Sequence, residues 1–210
     1  AGGGVPRALG RQTGEAGWLG VVVPEGLGGS DVGVLGMAVL AEEMARLDPG
    51  FALCHNQQAL TCPYTIFVGG TDEQCRRFIP DLIGGRAIGL WSLTEAGGGS
   101  DAAGNLKTFA DRRGDRYLLN GRKMFATLAD QTDTGVLFAR TDRDAGHRGI
   151  TAFVVEPKKY PGYEARPIDF VGLSKMTRSC EVVLQDFEVP VENRLGAEGE
   201  GFALAMHASQ

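Results

Sequence analysis

Residues 89–110 read GLWSLTEAGGGSDAAGNLKTFA. On spacing alone, Gly97, Gly99 and Ala102 satisfy the GxGxxA pattern of a dinucleotide-binding turn. That pattern works only between a strand and a helix of a βαβ unit. Here a strand-like run, IGLWSLT (88–94), precedes the glycines and a second, NLKTFA (105–110), follows them. No Lys-Ser/Thr pair directly follows the glycines, so the stretch is not a P-loop either. The glycines therefore belong to a β–β loop. Successive glycine N–H groups can form an anion-binding nest without a helix; the competing reading is a loose connection that binds nothing. A shorter echo, GLGGSD, stands at 26–31.

The hydrophobic period changes across this loop. Downstream it is two. RYLLNGRKMFAT (116–127) predicts a hairpin with its tight turn at Asn120–Gly121. GVLFART (135–141), ITAFVVE (150–156), YEARPIDF (163–170) and SCEVVLQDFEV (179–189) are short and β-rich, and no helix-length segment interrupts 101–189. This is the pattern of an antiparallel β domain, a small barrel or sandwich.

Upstream the period is helical. VLGMAVLAEEMARL (34–47) places Leu35, Val39, Leu40, Met44 and Leu47 on one face, with Ser30 or Asp31 as cap. FALCHNQQALTCPYTIFVGG (51–70) reads as a buried helix kinked or divided at Pro63. TDEQCRRFIPDLIGG (71–85) opens with Thr71 as N-cap and with Asp72 and Glu73 in the first turn, where the helix dipole favours them. VPRALGRQTGEAGW (5–18) begins abruptly inside a helix, and AEGEGFALAMHASQ (197–210) starts one with nothing to pack against. Both ends are expected to be cut. The class is α+β: a helical domain over 1–85, a β domain over 86–189, and a linker with a truncated helix over 190–210.

Composition narrows the function classes. Charged residues are 22% and hydrophobic ones 43% of 210, the balance of a soluble globular protein. A net charge of −5 without a basic stripe argues against nucleic acid. No apolar run approaches the roughly 20 residues of a membrane helix, and the N-terminus lacks a signal-peptide layout. Cys54, Cys62, Cys75 and Cys180 show no CxxC spacing and read as reduced thiols of a cytoplasmic protein, three of them on helices. His55, His147 and His207 have no ligand spacing, so no metal is expected. Thr94 suits a strand end, Glu95 a solvated loop charge, and Trp91 and Phe125 core positions. These features alone name no function.

The order of four motifs does. GWLGVVVPEGLGGSD (17–31), GLWSLTEAGGGSDAAGNLKTFA (89–110), YLLNGRKMFAT (117–127) and RSCEVVLQDFEVPVENRLGAEGEGFALAM (178–206) follow one another in the order of the acyl-CoA dehydrogenase signatures. The family counterparts of the first three are a "PEEYGG" run, "LTEPGAGSDAAG" and "YxLNGxKxWIT". The chain resembles that family of flavoenzymes over most of 17–206. The resemblance implies a helical N-terminal domain, a β-barrel middle domain and a C-terminal four-helix bundle that these residues lack. It implies FAD as cofactor and dehydrogenation of an acyl-CoA or acyl-carrier thioester to a 2-enoyl thioester, with hydride to flavin N5. It further implies an electron-transferring flavoprotein as acceptor and a homodimer or homotetramer.

Carried over position by position, Thr94 hydrogen-bonds the flavin pyrimidine edge and Leu93 offers backbone groups to it. Gly99 and Ser100 lie near the FAD pyrophosphate and the thioester. Thr127 contacts flavin N5, Phe125 lies beside the isoalloxazine ring, and Trp91 stands near the flavin and the acyl thioester. The resemblance places the catalytic glutamate in the bundle, beyond Gln210. Several positions depart from the pattern. Phe125 replaces a Trp, Ala96 a Pro, and Leu128–Ala129 an Asn-Gly or Ser-Asn pair; Lys175 stands where Arg is common, with no role assigned. Two alternatives remain: a non-catalytic subunit that works through a partner, and a flavin oxidase or monooxygenase of the same fold.

Overall fold

The computed structural model describes residues 4–172 and 176–208, so Lys175 lies outside the described residues. Helices come first: α1 Arg7–Glu15, α2 Gly33–Leu47, α3 Pro49–Asn56, α4 Cys62–Gly69 and α5 Asp72–Ile83. The strands follow: β1 Gly89–Ser92, β2 Phe109–Arg113, β3 Arg116–Thr127, β4 Thr134–Arg140, β5 Ile150–Val155, β6 Tyr163–Pro167, β7 Ser179–Pro190 and β8 Arg194–Leu195. A one-turn helix, α6 Ala102–Asn105, sits between β1 and β2, and α7 Gly201–His207 closes the described chain.

α5 forms where its capping signals place it. The Thr71 hydroxyl accepts from the Gln74 N–H, and the Gln74 side chain returns to the Thr71 N–H, a complete capping box. The 51–70 helix divides one turn before Pro63. Pro63 has no N–H to give to the preceding turn, and residues 57–61 widen into a π turn that absorbs the mismatch. That π turn carries Gln58 against β1. Its side-chain amide donates to the Gly89 carbonyl (3.1 Å) and accepts from the Gly89 N–H (2.6 Å).

α2 corrects two expectations. Its N-cap is Val32, which has no side chain to cap with, while Asp31 adopts a left-handed φ of 48°. Its buried residues are Met37 and Met44, whereas Leu35, Val39 and Leu47 are exposed. The helix is apolar on more than one side, so periodicity alone could not choose the inward face.

The sheet runs β6-β7-β3-β2-β4-β5-β8, with β1 beside β4. Its long ladders are antiparallel, as expected. β1 and β4 are parallel, however, because β1 enters from the helical layer, and β2 touches β4 in parallel at Phe109↔Arg140. The hairpin expected at Asn120–Gly121 is a second correction. The chain turns at Gly114, with φ 63°, and β3 continues unbroken through Asn120 and Gly121. Gly121 is demanded by close approach: a Cβ there would stand 2.5 Å from Thr108 Oγ1. Asn120 faces a bulge in β7, where Gln185 and Asp186 oppose it together. Its amide and the Asp186 carboxylate and N–H bond reciprocally at 2.9 Å.

Two large buried clusters result, beside a small third of Cys54, Ile88 and Leu128. One lies between helices and sheet, with Ile66, Ile79 and Leu82 against Val136, Phe138 and Val154. The other fills the sheet's far side around Leu119, Leu137, Phe153 and Phe187. Fully burying each such side chain stabilises the fold by roughly 1.5–3 kcal/mol before entropy. The four cysteines are free and buried, on α3, α4, α5 and β7. Among the described residues, no helix is long and apolar enough to cross a membrane, and no group of side chains could hold a metal ion.

Candidate functional site

β3 carries a second bulge, complementary to the one in β7. Met124 and Phe125 together oppose Glu181. The extra residue shifts the alternation. Tyr117, Leu119 and Lys123 point inward, and after the bulge Ala126 does. Phe125, at φ 60°, is thereby turned out of the core, and its ring lies 52% exposed, 5.7 Å from that of Phe170. The core reading of Phe125 is overturned. Thr127, at the end of β3, is half-buried.

The bulge is docked to the loop after β1. The Met124 N–H donates to the Thr94 carbonyl at 2.9 Å, which brings Thr94 beside Phe125. Among the described residues, the side-chain hydroxyls of Thr94 and Thr127 have no protein partner. Glu95 and Gly98 then close a tight turn, with the Gly98 N–H 3.1 Å from the Glu95 carbonyl. Gly98 has a steric reason, since a Cβ would meet that of Asn105 at 2.8 Å. A Cβ on Gly97 would meet nothing, and one on Gly99 only a Thr94 methyl at 3.9 Å. None of the three adopts the left-handed conformation, so the expected nest is not wound. Asp101 instead caps α6, accepting from the Gly104 N–H at 3.0 Å and from the Asn105 amide at 2.7 Å. Gly99 and Ser100 are exposed at the rim of this turn.

Trp91 faces the helices. Its indole N–H donates to Thr65 Oγ1 (3.2 Å), and its ring meets Phe138 edge-on at 5.2 Å. It lines an apolar groove of about 420 Å³ with Val34, Leu60, Tyr64 and His207. Leu93 is buried, and its carbonyl accepts from Lys123 Nζ at 3.1 Å.

That lysine was missed by sequence reasoning. Lys123 is fully buried and pairs with Glu95 Oε1 at 2.8 Å. Glu95 also accepts from the N–H groups of Lys107 (2.7 Å) and Thr108 (2.9 Å), so it is no solvated loop charge. The available signal was alternation: a lysine at the inward parity of Tyr117 and Leu119 requires a buried carboxylate. Burial pulls the Lys123 ammonium down to about 8 against the opposing pull of Glu95. Burial also pushes the Glu95 carboxyl up, but the Lys123 charge and the three hydrogen bonds outweigh it and leave the pKa lowered. At neutral pH the two form an ion pair. Arg140, also buried and missed, donates to the carbonyls of Ala103, Leu106 and Gly146, and so fixes α6 from behind.

Three carboxylates near the end of the described chain have partners of their own. Glu198 bonds the Tyr117 hydroxyl, Glu200 accepts from the Ala197 N–H, and Glu192 lies 3.8 Å from Arg77.

One backbone bond, from the Met124 N–H to the Thr94 carbonyl, ties the loop that carries the Thr94 hydroxyl to the bulge that carries the outward Phe125 ring. Residues 1–86 match the acyl-CoA dehydrogenase N-terminal domain and residues 91–187 the acyl-CoA dehydrogenase middle domain. The chain belongs to the acyl-CoA dehydrogenase family. It is 36% identical over 193 residues to a glutaryl-CoA dehydrogenase of Desulfococcus multivorans, covering 91% of this chain and 49% of that protein. It superposes on the butyryl-CoA dehydrogenase of Megasphaera elsdenii with a TM-score of 0.90 at 35% identity, over 98% of this chain and 54% of that one. The FAD complex of PigA superposes with a TM-score of 0.91 at 28% identity, over 98% and 54%. The chain thus spans about half the length of these relatives.

Proposed function

We propose that this chain supplies the flavin-facing part of an FAD-dependent acyl-CoA dehydrogenase, with 1–85 as its helical domain and 86–189 as its flavin-binding domain. The observation that carries the reading is the Met124–Thr94 bond, which sets an unpartnered threonine hydroxyl beside an aromatic ring held outward on a left-handed bulge. The reaction removes an α-proton and a β-hydride from a saturated acyl thioester, and bound FAD supplies the hydride acceptor.

In this reading the Thr94 hydroxyl donates to the pyrimidine edge of the ring. A fixed donor there favours the negative charge that accumulates on reduction. Leu93 offers backbone groups to the same edge, its carbonyl already accepting one bond from Lys123. Thr127 reaches toward N5, and Phe125 covers the ring and excludes water. Gly99 and Ser100 contact the pyrophosphate and the thioester. Trp91 walls the acyl side of the groove. Glu95 cannot be the α-proton acceptor, because Lys123 and two backbone N–H groups already occupy its carboxylate. That role is assigned to a glutamate beyond Gln210. Electrons then pass to an electron-transferring flavoprotein.

The test is anaerobic addition of saturated acyl-CoA thioesters to the intact polypeptide purified with its flavin. Bleaching of the yellow absorption and formation of the 2-enoyl thioester are expected. A protein that retains no FAD, or whose flavin no acyl thioester reduces, refutes the reading. Oxygen consumption without any added acceptor would turn it into an oxidase.

A further inference from the structure

Three segments meet at the Lys123–Glu95 pair. Leu93 and Glu95 come from the loop after β1, Lys107 and Thr108 lead into β2, and Lys123 stands one residue before the β3 bulge. The pair is buried, and among the described residues neither member forms a salt bridge with any other side chain. Lys123 and Met124 are chain neighbours, as are Leu93, Thr94 and Glu95. Thr94 is therefore gripped on three consecutive residues: the Leu93 carbonyl by Lys123 Nζ, its own carbonyl by the Met124 N–H, and the Glu95 carboxylate by Lys123 Nζ.

A buried ion pair is a poor device for stability, since apolar side chains of similar volume often serve as well or better. It is a good device for register, because it is satisfied in one arrangement only. A bulge also needs such a device, since the ladder is interrupted where Phe125 must be aimed.

We propose that Lys123 and Glu95 are positioning residues of the flavin site, which lock the Thr94 loop to the β3 bulge so that the Thr94 hydroxyl and the Phe125 ring present one fixed face to the isoalloxazine. The inference rests on the flavin reading above. It separates position from stability, and the two can be measured apart.

The experiment compares the intact FAD-loaded protein with Lys123→Met and with the double variant Lys123→Met/Glu95→Gln. The first leaves a buried carboxylate without its cation and is expected to lose thermal stability and FAD together. The second removes the uncompensated charge. Measured without flavin, so that ligand linkage does not enter, its melting temperature is expected to recover most of the loss. It stays short of the parent by the one backbone N–H, of Lys107 or Thr108, that the amide nitrogen of the introduced glutamine cannot accept from. FAD affinity stays lower by roughly tenfold or more and the visible circular dichroism of bound flavin stays altered, because misplacement of a positioning group is costly. A double variant that recovers both melting temperature and flavin signature overturns the proposal and leaves the pair merely structural. If the flavin-free double variant melts no higher than the flavin-free single variant, the pair carries stability and the proposal also fails. A parent protein that binds no FAD refutes the flavin reading itself, and this inference with it.

Discussion

The letters GGSD occur twice, at 28–31 and at 98–101, and the two copies fold differently. In the first, Gly28 is left-handed, with φ 89°, and Gly29 lies so close to the chain behind it that a Cβ would stand 1.9 Å from the Val23 carbonyl oxygen. Asp31 is itself left-handed and caps nothing. In the second, no glycine is left-handed, Gly99 has room for a Cβ, and Asp101 caps the next helical turn. From sequence, the first copy reads as a turn and cap, and the second as either an anion nest or a loose connection. Tertiary packing decides which glycine is needed for its conformation and which for the space beside it.

The sharpest way to break this comparison is Gly29→Ala. The new methyl would collide with backbone, not with a flexible side chain, so a loss of about 3 kcal/mol or more is expected by chemical denaturation. Equal tolerance of alanine at 29 and 99 would erase the distinction. The second effect is acid lability near the second copy. The folded Glu95 carboxyl lies below its ordinary 4.5, so the unfolded chain binds more protons as pH falls. Its contribution is full above that value and is lost as pH drops through the folded pKa. Glu95→Gln should flatten this part of a stability profile measured downward from pH about 6.

Smaller effects separate the two aspartates. Asp101→Ala removes a cap and should cost about 1 kcal/mol. Asp31→Gly removes no cap and relieves a left-handed side chain, so its melting temperature should not fall. The smallest effect belongs to Gly99→Ala, within about 0.5 kcal/mol of the parent in the flavin-free protein. If Gly99 borders FAD, the same change lowers flavin affinity while leaving that stability untouched. A loss in both would place the position in the fold and not in the site.

Much of the architecture was legible because local signals agreed with the packing. The Thr71 cap, the division before Pro63 and the strand runs from 135 to 189 are of that kind. The errors arose where a residue answered a distant partner. Asn120–Gly121 has turn chemistry, but Asn120 serves Asp186 and Gly121 makes way for Thr108. Thr94, Phe125 and Thr127 were found by resemblance, and the structure adds the bond that joins the first two. Lys123 could have been found from alternation alone. Its partner could not, because Glu95 lies 28 positions earlier in a loop without periodicity.

Gln58 gives the molecule one more property. Gly89 is the first residue of β1, and its outward N–H and carbonyl are both taken by that one side-chain amide. A primary amide presents the same donor and acceptor pair as a peptide group, so the helix acts as a surrogate strand one residue long. An open strand margin invites pairing with other chains and, in time, fibre growth. Here a single glutamine answers that invitation at Gly89, and another strand could pair with this residue only after a widened turn of helix lets go.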